Sequence, residues 1–288
     1  MPRLRENRLR IGRFQCRWRQ IATSPSARTA LLLPGGPGLS AGYLASWAAR
    51  LAKDANLNAV LIEYPMIGGK DSISSKDKLE LLKDSLAALF KKFSKHGNPI
   101  LIGHSFSCRL LLELLRTRDV RAEALILMNC PERFDEGREF AQAAKRLHLP
   151  DPIDSEDRFV LFWRRILPLY FGVPAKARWI RALISDTSWM KCAWLADSIN
   201  GKLASFPKSA LPPALFLSGG ADRRFPQRNT AILRKMFPRS VHALIRRSGH
   251  FPMLEAEKES VREVVSFLDS VQRGVRTNSL STAPLARR

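Results

Sequence analysis

An α/β fold is what the sequence predicts: a mostly parallel twisted sheet with flanking helices and an inserted helical lid. Three observations carry the prediction. Short apolar runs alternate with amphipathic stretches, the pattern of strands joined by crossover helices. Several of those runs end in loops of glycine and polar residues: "PGG", "GHS", "GGAD" and "SGH". Between 132 and 208 the rhythm changes to helix-like segments rich in Trp, Phe and Arg, broken at Pro150, Pro152, Pro168 and Pro174.

The elements follow in chain order. Residues 1–24 hold many arginines and one acid, Glu6, a composition shared with organellar transit segments. Phe14, Cys16 and Trp18, however, alternate with Gln15, Arg17 and Arg19. Leu9 and Ile11 alternate too, in a phase broken at Gly12. This predicts an N-terminal β-hairpin. "TALLLPGG" (29–36) and "AVLIEYP" (59–65) read as strands. Leu79, Leu82, Leu86, Leu89, Phe90 and Phe93 stand at helical spacing over 76–95. "PILIGHS" is then a strand, "FSCRLLLELLRTR" a helix and "AEALILMNC" a strand. After the lid, "PPALFLSGGAD" (212–222) and "VHALIRRSGH" (241–250) resume the sheet, and 256–271 closes it with a helix. The expected organisation is a core over 1–131 and 209–272, a lid over 132–208, and a disordered tail over 273–288, which lacks apolar periodicity.

Composition narrows the function. A chain of 288 residues, 45% hydrophobic and 26% charged, has enough apolar surface for a real core. No run approaches the ~18 apolar residues of a membrane span. Cys16, Cys108, Cys130 and Cys192 form no C-x-x-C pair, which disfavours a zinc site or disulfide framework and suits a reducing, cytoplasmic setting. The balance of 48 Lys and Arg against 26 Asp and Glu gives +22, a field that attracts acidic partners. The basic residues are spread along the chain without zinc-finger spacing or an RNA-binding signature, so no nucleic-acid partner is expected.

The chemistry starts at "LIGHSFS". Gly103 and Ser107 flank Ser105 by two residues, as a sharp strand-to-helix turn with an outward nucleophile requires. The usual pattern is G-x-S-x-G, so Ser107 departs from it, although serine is small. The helix that follows aims its positive end at the bend. A serine hydroxyl needs a base, and of five histidines His250 lies in a glycine-flanked loop after the last strand, at the sheet edge where such folds build their sites. In the chain order Ser, Asp, His the acid falls between them. Asp222 follows a strand and can hold the imidazole in one tautomer; it also fits an Asx-turn, and Glu132 and Asp135 remain alternatives. The backbone N–H groups of Gly36, in "LLLPGGPG", and Phe106 are candidate oxyanion donors, each worth about 3 kcal/mol.

On these residues the sequence resembles the α/β-hydrolase fold family over roughly 28–270, and within it the proline iminopeptidase-like and related cap-bearing hydrolases. "PGGPG" (34–38) is similar to a His-Gly-Gly-Pro-Gly oxyanion loop, with Pro34 in place of the histidine. "GHSFS" resembles the nucleophile elbow, "GGADRRFP" the acid loop, and "GHFPMLE" a Gly-His-x-x-x-x-Glu histidine loop. "EYPMIGGKDS" only loosely echoes the family's D-x-x-G-x-G-x-S loop, with Glu63 and Met66 at its Asp and first Gly. The resemblance implies Ser105, Asp222 and His250 as a catalytic triad. Iminopeptidases also need acidic cap residues for the substrate amine. Glu132, Glu136, Glu139, Asp151, Asp154, Glu156 and Asp157 supply acids, but none aligns with that role.

The expected function is a serine hydrolase acting on a small-molecule ester, thioester or amide, with no metal or organic cofactor. Its lid aromatics include Phe159, Phe162, Trp163, Tyr170, Phe171, Trp179, Trp189 and Trp194, of which Phe159, Trp163 and Trp189 are the expected substrate contacts. Three alternatives stand beside it. Arg164, Arg165, Arg223 and Arg224 suit an enzyme that meets an acidic acyl-carrier protein and cleaves its thioester or a methyl ester. A proline iminopeptidase-like aminopeptidase is the second, and a non-catalytic binding protein of the same fold the third.

Overall fold

The computed structural model describes residues 5–12, 14–36, 39–64, 66–67, 75–131, 138–150, 155–184, 199, 211–225, 233, 236–237 and 240–274. The expected tail over 273–288 falls, beyond Gly274, outside the described residues, as does Trp189.

Among the described residues nine strands form one sheet: β1 (Arg5–Ile11), β2 (Phe14–Ile21), β3 (Arg28–Leu33), β4 (Leu57–Ile62), β5 (Met66–Ile67), β6 (Ile100–His104), β7 (Ala124–Met128), β8 (Ala214–Gly219) and β9 (Ser240–Ile245). Their order is β1-β2-β4-β3-β6-β7-β8-β9, with β5 paired to β2. β1 and β2 make an antiparallel hairpin turning at Gly12, whose φ of 56° a glycine adopts without strain. β2 runs antiparallel to β4, and β3 through β9, apart from β5, are parallel. Parallel pairing carries the C-terminal ends of β3, β6, β7, β8 and β9 to one edge: Gly103 aligns with Leu33 and Leu127, and Gly219 with Ile245.

The near-continuous apolar runs are explained by burial on both faces of the sheet. Ala30 and Leu32 point into one core cluster, Leu31 and Leu33 into the other. The first cluster takes in α1 (Ala45–Asp54) and α8 (Glu257–Gln272), tied by a hydrogen bond from Trp47 Nε1 to Ser260 Oγ of 2.9 Å. The second receives α2 (Ser75–Phe93) through Leu82, Leu86, Leu89 and Phe90, and α3 (Phe106–Thr117). Each such side chain contributes about 1.5–3 kcal/mol on burial. Residues 45–54 carry no clear helix start signal in the sequence, yet Trp47, Ala48, Leu51 and Ala52 form the buried face of α1.

Between β7 and β8 lie α4 (Arg138–Lys145), α5 (Glu156–Ile166), a 3-10 turn (Leu167–Tyr170) and α6 (Ala177–Ile184). Phe159, Trp163, Trp179 and Leu183 from these helices enter the first core cluster, so the insertion packs on the body rather than standing off it. The short α7 (Pro252–Glu255) follows β9 and precedes α8.

Candidate active site

Ser105 follows β6 with φ 53° and ψ −115°, outside the ordinary regions for a residue with a Cβ, and α3 starts at the next residue. Such strain costs about 1–3 kcal/mol and persists because the surroundings hold it. The Ser105 amide donates to the Met128 carbonyl at 2.9 Å, and its carbonyl accepts from Cys108 at 3.0 Å. Gly103 makes the bend possible: a Cβ there would sit 3.0 Å from the Cys108 amide nitrogen.

Asp222 follows β8 and is 5% exposed; His250 follows β9 and is 2% exposed. His250 Nδ1 lies 2.7 Å from Asp222 Oδ2. A carboxylate oxygen only accepts, so Nδ1 carries the hydrogen, and in the neutral ring the lone pair is then on Nε2. The other carboxylate oxygen, Oδ1, accepts the amides of Arg224 (2.9 Å) and Phe225 (3.1 Å). Asp222 is thus an Asx-turn residue and an imidazole partner at once, one oxygen for each task. Gly219 permits the approach of the two loops, since a Cβ there would lie 1.8 Å from the Gly249 carbonyl oxygen.

Ser105, His250 and Gly36 line one cavity of about 60 Å³, room for a few waters, together with Trp163, Tyr170 and Arg224. Among the described residues no hydrogen bond joins Ser105 Oγ to His250; in an unliganded site that contact is often long and tightens with substrate. Gly36 has φ 134°, a conformation that favours glycine, and Phe106 is the first residue of α3. Trp163 lines the cavity, whereas Phe159 is not among its lining residues and packs edge-on against Trp163 at 6.0 Å. The alternative acids Glu132 and Asp135 lie outside the described residues.

A scan against protein-family descriptions matches the alpha/beta hydrolase family over residues 30–264. The chain belongs to the alpha/beta hydrolase family. Solved structures similar to it include a serine hydrolase from a Cycloclasticus bacterium (14% identity, TM-score 0.69, covering 93% of this chain and 98% of that one). A lipase-like protein from Acinetobacter baumannii (18%, 0.71, 94% and 93%) and an esterase from Exiguobacterium antarcticum (16%, 0.68, 89% and 96%) are similar too. At these identities the likeness shows the fold. No curated protein matches the chain by sequence.

Within this alpha/beta hydrolase several residues around the site were not singled out from sequence. Asn129, just past β7 with φ 47°, donates from Nδ2 to Asp222 Oδ2 at 2.6 Å and to the Gly249 carbonyl at 3.3 Å. Its signal was an asparagine at a strand end, which reads equally as an ordinary turn residue. Glu255, in the quoted histidine-loop motif, accepts the Gly249 amide on both oxygens (3.0 and 3.1 Å) and the Phe251 amide (3.2 Å). It also accepts the Gly172 amide from the insertion at 2.7 Å. Burial raises the Glu255 carboxyl above its ordinary value despite these donors. The His250 amide donates to the Tyr170 carbonyl at 2.7 Å, so the insertion also holds the histidine loop.

Proposed function

We propose that this alpha/beta hydrolase is a serine hydrolase that cleaves an ester, thioester or amide through an acyl-enzyme on Ser105. The single observation that carries the reading is the buried 2.7 Å contact of His250 Nδ1 with Asp222, in a cavity that Ser105 also lines. His250 Nε2 takes the Ser105 proton as Oγ attacks the carbonyl carbon, and Asp222 stabilises the resulting imidazolium. The amides of Gly36 and Phe106 receive the oxyanion, Phe106 with the help of the α3 dipole. The imidazolium then protonates the leaving group, and water repeats the sequence to release the acid. The aromatic wall favours an apolar acyl or aryl group near Ser105.

The test is hydrolysis of p-nitrophenyl esters of graded chain length and of aminoacyl-naphthylamides. Ser105→Ala should lower turnover by orders of magnitude with the fold intact. Equal activity in that variant rejects the assignment.

One observation favours a carrier-linked substrate as a second reading. Among the described residues Arg164, Arg165, Arg178 and Arg181 on α5 and α6 are exposed and in no ion pair. On the body Arg28, Arg50, Arg116 and Arg118 pair with Glu123, Glu257, Glu113 and Glu80. Uncompensated cations over the insertion suit an acidic acyl-carrier protein.

A further inference from the structure

We infer that Ser107, Tyr64 and Tyr43 are positioning residues that clamp the Pro34–Gly35 peptide plane and so fix the oxyanion loop; the inference rests on the serine hydrolase reading. The Pro34 carbonyl and the Gly35 amide belong to one peptide unit, and each end is held by a buried hydroxyl.

At the carbonyl end, Pro34 O accepts from Tyr64 Oη at 2.8 Å and from Ser107 Oγ. The two hydroxyls are themselves 2.6 Å apart. Two protons serve three contacts, and both cannot lie on the line between the hydroxyls. In every other arrangement the carbonyl receives at least one.

At the amide end the directions are fixed. The Gly35 N–H donates to Tyr43 Oη at 2.7 Å, so the Tyr43 hydroxyl is left to donate to His104 Nδ1 at 2.7 Å. His104 Nε2 then carries the ring hydrogen and donates it to the His250 carbonyl at 2.8 Å. Burial holds His104 well below the usual histidine range, so this neutral tautomer stands at neutral pH.

A peptide gripped at oxygen and at nitrogen cannot swing about its long axis, and the next amide in the chain is that of Gly36. Only glycine fits at residue 35, because a Cβ there would meet His104 Nδ1 at 2.6 Å. The clamp also gives the sequence's departures a purpose. Ser107 stands where the elbow pattern has glycine, and its hydroxyl is a tether that glycine lacks. Pro34 has no amide hydrogen, so its carbonyl is the only backbone handle there. Through His104 the same network reaches His250, linking the oxyanion loop, the elbow and the histidine loop.

Ser107→Gly restores the common elbow pattern and is the sharpest test, with Ser107→Ala and Tyr43→Phe as variants that keep the buried volume closer to native. The measurements are kcat and KM on p-nitrophenyl acetate and the rate of phosphonylation of Ser105 by a fluorophosphonate. Thermal unfolding identifies the folded variants. The expected result is a fall of about 10- to 100-fold in kcat and in phosphonylation with KM unchanged, because misplaced oxyanion donors act only as charge develops. If the folded variants react as fast as the native chain, or lose only KM, the clamp is wrong. If the native chain neither turns over nor is labelled, it is the serine hydrolase reading that fails.

Discussion

At Ser105 the backbone conformation that sets the residue on the cavity wall is one a side chain resists, and hydroxyl and strain can be separated by substitution. Ser105→Gly removes both hydroxyl and strain, while Ser105→Ala removes only the hydroxyl. Calorimetry should therefore find the glycine variant more stable than the alanine variant by about 1 kcal/mol, with both inactive. Equal melting would mean that the strain at φ 53° does not exceed the extra backbone entropy that glycine gains on unfolding. Asn129 bears on the acid in the same local way. Its amide supplies one of four donors to the buried Asp222 carboxylate. Asn129→Ala should lower kcat/KM by about tenfold, as expected for a hydrogen bond to a charged group. An unchanged pH-rate profile and rate would remove Asn129 from the site. His104 carries a prediction for stability. Its folded pKa is depressed, so the unfolded chain binds a proton there that the folded chain refuses. Stability from this group is complete above about pH 6.5 and falls on acidification below it, by at most ~1.4 kcal/mol per pH unit. Urea unfolding from neutral to mildly acid pH should show that slope, and His104→Gln should flatten it.

Among the elements, the β6–α3 bend is the least tolerant. A methyl on Gly103 meets Leu111 at 2.9 Å and the backbone at Cys108, so Gly103→Ala should cost about 1–3 kcal/mol in urea unfolding or prevent folding. The elements were legible to different degrees, for physical reasons. β6, β7 and β8 are buried on both faces and read as unbroken apolar runs, and the 3.6-residue spacing of Leu82, Leu86 and Leu89 marked α2. α1 was not assigned although Trp47, Ala48, Leu51 and Ala52 share one face, because it follows a glycine-rich loop with no clear start signal. The strand expected at 59–65 ends at Ile62, because the next side chains turn to other partners: Glu63 to Arg19 at 2.7 Å and Tyr64 to Pro34. Ser105, Asp222 and His250 could be chosen from sequence because each sits in a glycine-marked loop at a strand end. Asn129, Tyr43 and Tyr64 could not, because their partners lie 30 to 120 residues away or are backbone groups without a sequence signature.

Over the whole molecule, the cations are paired unevenly. Arginines on parts of the body are paired with acids, whereas among the described residues Arg164, Arg165, Arg178 and Arg181 on α5 and α6 are exposed and in no ion pair. If an acidic carrier docks there, turnover of its thioester should collapse between about 0.05 and 0.5 M salt while a small neutral ester is hydrolysed at the same rate. Parallel loss on both substrates would remove the carrier reading and leave the hydrolase reading in place. The most direct measurement of that central claim is the site of covalent reaction with a fluorophosphonate, mapped by peptide mass spectrometry. The account predicts one adduct, on Ser105, absent in Ser105→Ala and strongly suppressed in His250→Gln. No adduct on the native chain, or one that persists when Ser105 is replaced, would contradict it.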